Sequence, residues 1–165
     1  MYNNLKNKIV SELVGIVGPS GSGKTRSLMG LNHEETLIIS ITGKKIPMKG
    51  FSKKYTQLAS DGLTGNYYQT KDHAKIIKML KHVDVKRPDI KNIVIDDYNY
   101  LGAFEFFKRA SETGFGKFSE IGQHIANPLI EASNMRDNLK IFILNHDETI
   151  TEDFKPFRKM KTIGE

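Results

Sequence analysis

Leu13-Val14-Gly15-Ile16-Val17-Gly18-Pro19-Ser20-Gly21-Ser22-Gly23-Lys24-Thr25-Arg26 runs from an apolar segment through a glycine-rich turn into the opening of a helix. The apolar run at residues 13–17 predicts a strand of a parallel sheet covered on both faces. Residues 18–25 match the phosphate-binding spacing G-x-x-x-x-G-K-T in full. Glycines let the backbone wrap closely and turn its N–H groups onto phosphate oxygens. A helix starting near Lys24 directs its positive end at the same place. Lys24 is suited to reach the β- and γ-phosphates, and the Thr25 hydroxyl to hold Mg²⁺. The nucleotide-binding candidates are therefore Gly18, Pro19, Ser20, Gly21, Ser22, Gly23, Lys24, Thr25 and Arg26. A glycine-rich turn with a chance lysine is the alternative, and the agreement of strand, loop and helix argues against it.

Outward from this loop, Asn92-Ile93-Val94-Ile95-Asp96-Asp97 is a second apolar strand, ending in two carboxylates. Beside a P-loop this is the arrangement in which the first Asp holds Mg²⁺, usually through water, so Asp96 joins Thr25 as a metal-side candidate. Asp97 is placed to orient or deprotonate an attacking water, with a structural or partner-binding role as the alternative. Thr36-Leu37-Ile38-Ile39-Ser40-Ile41 and Lys140-Ile141-Phe142-Ile143-Leu144-Asn145 read as two further strands. Apolar spacing, caps and breakers predict helices over residues 24–30, 72–82, 98–111 and 117–138, the last kinked or interrupted at Pro128. Residues 42–71 read as irregular, and the polar tail from 147 as a basic tail or a hairpin around 151–153.

Strands alternating with helices predict one α/β domain over residues 1–165, with a mainly parallel sheet flanked by helices. One strand falls between the two motifs and another follows them. This is the element order of the additional-strand class of P-loop NTPases, which includes RecA-like and AAA+ ATPases. In that class the last strand lies between the two motif strands and ends in a polar sensor. Asn145 and His146 are then candidates to contact the γ-phosphate or the lytic water, against the alternative of a solvated strand end. A nucleotide or small-molecule kinase is the weaker reading, because Arg26, Arg87, Arg109, Arg136 and Arg158 are scattered and form no lid cluster.

At 165 residues the chain is long enough to bury one central sheet. Having no cysteine, it can form neither a disulfide framework nor a thiolate-held zinc site, which suits a reducing cytoplasm. No apolar run is long enough to span a bilayer, so the expectation is a soluble, cytoplasmic protein without a membrane partner. A net charge of +6 and a pI near 9.4 favour a polyanionic partner without naming it. The lysines concentrate usefully: Lys44, Lys45, Lys49, Lys53 and Lys54 lie together with Phe51 and Tyr55 interleaved, followed by Tyr67 and Tyr68. Lysines on phosphates and aromatics on bases are how single strands are held. The competing reading is a solvated loop whose aromatics are tucked onto the core. In the tail, Lys155, Arg158, Lys159 and Lys161 read as solvated, one of them a candidate finger for a neighbouring subunit's nucleotide. His33, His73 and His82 show no metal-ligand spacing, and His124 reads as a surface residue, so no zinc site is expected.

With these residues in view, the chain resembles the phage-encoded AAA-type nucleotide-binding proteins, RecA-like ATPases often encoded beside single-strand annealing and replication genes. The resemblance spans nearly the whole chain. It is carried by residues 18–25, by Gly43-Lys44-Lys45-Ile46-Pro47 after the strand at 36–40, and by Asn66-Tyr67-Tyr68. It continues through residues 92–98, Lys117-Phe118-Ser119-Glu120-Ile121, Phe142-Ile143-Leu144-Asn145-His146 and Lys161-Thr162-Ile163-Gly164. The GKKIP and KTIG segments are the more specific matches. The resemblance implies a RecA-like core, ATP and Mg²⁺ as ligands, and a role in phage DNA recombination or replication. The implied partners are single-stranded DNA and an annealing or replication protein, in the cytoplasm of the infected host, with homo-oligomerisation possible. ATP-gated binding with little turnover is the alternative activity. Relatives typically carry Ser or Thr where this chain has Asn145, and continue beyond KTIG with a lysine where this chain has Glu165. Those departures bear on oligomerisation and on a lysine supplied in trans.

Overall fold

Ile93, Val94 and Ile95, like Leu37, Ile38 and Ile39, leave no polar position between them, so such strands need cover on both faces. The computed structural model, which describes residues 10–44 and 46–161, supplies that cover. Its elements are β1 (Glu12–Gly18), α1 (Lys24–Ser27), β2 (Thr36–Ser40), α2 (Phe51–Lys54), β3 (Tyr67–Gln69), α3 (His73–Lys86), β4 (Asn92–Asp96), α4 (Tyr100–Lys108), α5 (Gly116–Ala132), β5 (Lys140–Glu152) and β6 (Lys155–Met160). The sheet runs in the order β1-β5-β4-β2-β3 with every neighbour parallel, and β6 lies antiparallel on the outer half of β5. The chain is thus α/β with a mainly parallel sheet flanked by helices. Strand β5 lies between the two motif strands.

Alternation along each strand sorts the core into two layers. Leu37, Ile39, Ile93, Ile95, Ile141 and Ile143 face the helices α3, α4 and α5, meeting Ile76, Leu80, Leu101 and Ala132. Ile38, Val94 and Leu144 face the other way, onto Leu28 after α1 and onto Ile46, Met48 and Tyr55 of the long connection. One face is therefore covered by packed helices and the other by short turns and loop.

Several expectations need correction. Strand β1 is an edge strand, not a doubly covered one: its one partner among the described residues is β5, and Leu13 and Val17 are 40% and 47% exposed. Both sit beside Ile141 and Asn145 on the face of α3, α4 and α5, and that layer does not cover the edge strand. Helix α1 lasts four residues before tightening to a 3₁₀ turn at Leu28–Gly30. Helix α3 continues to Lys86, four residues past the expected end, because Val83 stays in phase with Ile76 and Leu80 on the core face. Pro128 lies buried inside α5 without ending it. The hydrogen bond it forfeits is offset by packing. Residues 42–71 are not structureless: they contain α2 and β3. Strand β5 does not stop at Asn145 but runs on to Glu152, and the expected hairpin turns at Asp153 and Phe154.

Candidate nucleotide site

The P-loop hangs between the end of β1 and the start of α1. Gly21 and Gly23 have φ of 79° and 92°, a left-handed backbone that side chains disfavour, and Gly23 is the N-cap of α1. The Lys24 ammonium donates to the carbonyls of Gly18 at 2.6 Å and Pro19 at 2.9 Å, which holds it across the mouth of the loop. One turn of helix carries Thr25 to the end of β4, where its hydroxyl donates to the Asp96 carboxylate at 3.2 and 3.4 Å.

Asp96 and Asp97 are adjacent in sequence and opposite in character. Burial, then the charge of Asp97, pushes the Asp96 carboxyl above the ordinary value, against the hydrogen bond from Thr25. Asp97 breaks out of the strand with φ of 61°. Burial pushes its carboxyl up too, but hydrogen bonds from Lys44 and Thr42, the Lys44 charge and His146 together hold it below the ordinary value. The contacts are short: Lys44 Nζ at 2.8 Å, Thr42 Oγ1 at 2.7 Å and His146 Nε2 at 3.1 Å. His146 also stands between motifs, with its Nδ1 3.4 Å from Lys24 Nζ. An ammonium offers only donors, so Nδ1 accepts and the ring proton sits on Nε2, facing Asp97. The ring is fixed by the edge of Tyr100 at 5.8 Å and its backbone N–H donates to Asn99.

Lys24, Thr25, Arg26, Asp96, Asp97 and His146 line one cavity of about 320 Å³ with Ser20 to Gly23. That is the low end of small-molecule sites. Two hard oxygen donors at hydrogen-bond distance, Thr25 Oγ1 and the Asp96 carboxylate, form a donor set that fits Mg²⁺. A second cavity, of about 680 Å³, shares Ser22, Gly23 and Lys24 with it and is also lined by Gly18, Pro19, Asp147, Arg158, Lys159 and Met160. Arg158 and Lys159 therefore line a cavity against the P-loop of their own chain, where the sequence suggests a neighbour's nucleotide.

Not every sequence candidate joins this site. Asn145 is turned away: its amide donates to Met160 Sδ at 2.9 Å, its Oδ1 is buried without a hydrogen-bond partner, and it lines neither cavity. Alternation explains this, since Asn145 and His146 occupy opposite faces of β5. Lys44, read as a nucleic-acid contact, folds onto Asp97 and lies over the Tyr100 ring at 5.2 Å. Sequence reasoning missed it as a site residue, although its position just after β2, beside β4, was a usable signal. Lys49, Lys53 and Lys54 are exposed, whereas Lys45 and residues 162–165 lie outside the described residues. The interleaved aromatics pack inward: Phe51 stacks on Tyr55 at 5.0 Å, Tyr67 meets Phe51 edge-on, and Tyr55 is buried. That packing favours the core reading over base stacking.

A separate constellation was not foreseen. His73, Glu105 and His124 come together from α3, α4 and α5, with one donor atom of each within 4.8 Å of the others. Burial, then the neighbouring His124, pushes the His73 imidazole below its ordinary value, against the charge of Glu105. The absence of ligand spacing in the sequence could not reveal this cluster, because positions 73, 105 and 124 are distant in sequence and meet only through helix packing.

Comparison with models of known protein families gives no match, and no curated protein matches the chain. Among the described residues, no helix is long and apolar enough to cross a membrane.

Proposed function

We propose that this protein binds ATP with Mg²⁺ and hydrolyses it, as a RecA-like member of the additional-strand P-loop class acting in phage DNA recombination or replication, on or near single-stranded DNA. The observation that carries the reading is the convergence of Lys24, Thr25, Asp96, Asp97 and His146 on one cavity, from strands β1, β4 and β5. Magnesium, when bound, supplies positive charge against the phosphate oxygens. Thr25 and Asp96 are the residues that would hold it. The N–H groups of the P-loop and the Lys24 ammonium stabilise charge developing on the transferred phosphoryl group. Asp97, held below its ordinary pKa, is a weak base, so its part is to orient the attacking water for in-line displacement. His146 ties that carboxylate to Lys24.

Steady-state ATP hydrolysis with and without single-stranded DNA tests the proposal. Lys24→Ala is expected to lower kcat/KM by roughly 10²-fold or more, and hydrolysis by this variant at the wild-type rate would overturn it. DNA stimulation is expected to depend on Lys49, Lys53 and Lys54, the exposed members of the basic segment.

A second reading, ATP-gated binding with little turnover, has one observation in its favour. Lys44, Thr42 and His146 together occupy both oxygens of Asp97. Tight ATP binding with no turnover under any DNA condition would select it.

A further inference from the structure

We propose that His73, Glu105 and His124 form a Zn²⁺ site, separate from the nucleotide site, that ties α3, α4 and α5 together and keeps one coordination position open to a cavity. Two imidazole nitrogens and one carboxylate oxygen are a borderline-soft donor set that suits zinc over magnesium or calcium. The distances suit it as well. Ligand atoms about 2.0–2.2 Å from a tetrahedral ion lie somewhat closer to one another than the 4.8 Å limit that contains this cluster, a difference that side-chain torsions can close.

The supporting backbone is held independently of any ion. His73 opens α3 directly after Asp72, whose side chain caps the helix by accepting from the N–H groups of Ala74 and Lys75. Helices α4 and α5 approach so closely at Gly102 that a Cβ there would stand 2.5 Å from Ile125 Cδ1. The Tyr98 hydroxyl donates to the Ile125 carbonyl, one residue beyond His124. The three ligands thus project from a fixed frame. Glu105 already accepts from His124 Nδ1, and its other oxygen lies 3.7 Å from His73 Nδ1. The two rings stack with centroids 3.7 Å apart and planes 13° from parallel. Stacked rings aim their lone pairs side by side, so coordination requires one ring to turn about χ2 until the lone pairs converge. Arg109 does not use up the carboxylate. Its short contacts, at 2.6 Å, go to Glu112 and Glu120, and Glu105 is 3.7 Å away.

The cluster opens on a cavity of about 1340 Å³ that shares no lining residue with the two beside the P-loop. Lys71, Lys75, Lys108 and Arg109 line it together with Asp72, Glu112 and Glu120, a polar lining of both signs that leaves the open position to water.

The test uses the full chain stripped with EDTA, desalted, and equilibrated with Zn²⁺ in the absence of nucleotide. Bound metal is measured by mass spectrometry, affinity by calorimetry, and site geometry by the absorption of a Co²⁺-substituted sample. The expected result is one Zn²⁺ per chain, a tetrahedral Co²⁺ spectrum, and a Tm higher by about 5–10 °C at zinc a hundredfold above Kd. His73→Gln and His124→Gln are each expected to weaken binding beyond the roughly 10–100-fold that loss of a mere orienting partner costs. Far-UV circular dichroism checks that these variants fold, and His33→Gln, which leaves the cluster intact, keeps wild-type binding. No retained zinc, or zinc retained equally in both cluster variants, overturns the proposal and leaves a hydrogen-bonded His-Glu-His cluster. None of these readouts depends on ATP binding or hydrolysis.

Discussion

Strands β1 and β4 each end in a motif of the candidate site, yet they live in different surroundings. In β4, Ile93, Val94 and Ile95 are fully buried and paired on both sides, by β2 and β5. In β1, Leu13 and Val17 are substantially exposed and the pairing is with β5. The comparison teaches that the acidic pair is anchored by the core, while the glycine-rich loop is anchored through one neighbouring strand. Strand β5 is that neighbour, and it also carries His146, so the two halves of the site share a single structural dependency.

The largest expected effect sharpens this contrast directly. Ile95→Ala should lose about 2–5 kcal/mol of stability through burial lost and cavity left, whereas Leu13→Ala, already 40% exposed, should lose less than about 1 kcal/mol. Denaturant midpoints measure both, and equal losses would break the comparison. A smaller effect divides the two carboxylates. The raised pKa of Asp96 means the folded state holds its proton more tightly, so that stability is present at low pH and is lost as pH rises past the ordinary carboxylate value and through the raised one. Asp96→Asn should therefore melt higher than wild type at neutral pH without Mg²⁺, while losing Mg²⁺-dependent hydrolysis. Asp97 has the opposite sign. Its stabilisation is present above the ordinary value and is lost as pH falls through the depressed one, so Asp97→Asn should melt lower at neutral pH. The smallest effect concerns Lys44. Without it the Asp97 carboxyl rises toward its ordinary value, and Lys44→Ala should move the acid limb of the kcat pH profile to higher pH. An unmoved limb would separate Lys44 from the working state of Asp97.

Much of the candidate nucleotide site was legible because its residues are contiguous. Residues 18–25 carry their own turn, helix start and cation, and Asp96 and Asp97 sit at the end of a strand whose composition announces burial. Strand placement followed from element order. What could not be read was the outer boundary of the sheet. An apolar run such as residues 13–17 looks alike in the middle and at the edge, since exposure depends on what packs beside it. The choice between Asn145 and His146 hinged on which face of β5 each occupies, a one-residue matter of register. Lys44 was read for its charge alone, because that charge is visible in sequence and its fold-back onto Asp97 is not. The His73, Glu105 and His124 cluster lay beyond any local pattern, as it exists only where α3, α4 and α5 meet.

The left-handed backbone at Asp97 restricts what substitution can explore there. With φ of 61°, the position admits glycine freely, tolerates Asp and Asn, and penalises most other side chains whatever their polarity. Alanine or glutamate at this site alters backbone preference together with the functional group, and a loss of activity in either is ambiguous. Asparagine alone removes the negative charge while keeping both shape and conformational tolerance. The usable mutational alphabet at this position is thus three letters long: a carboxylate, its amide and no side chain at all.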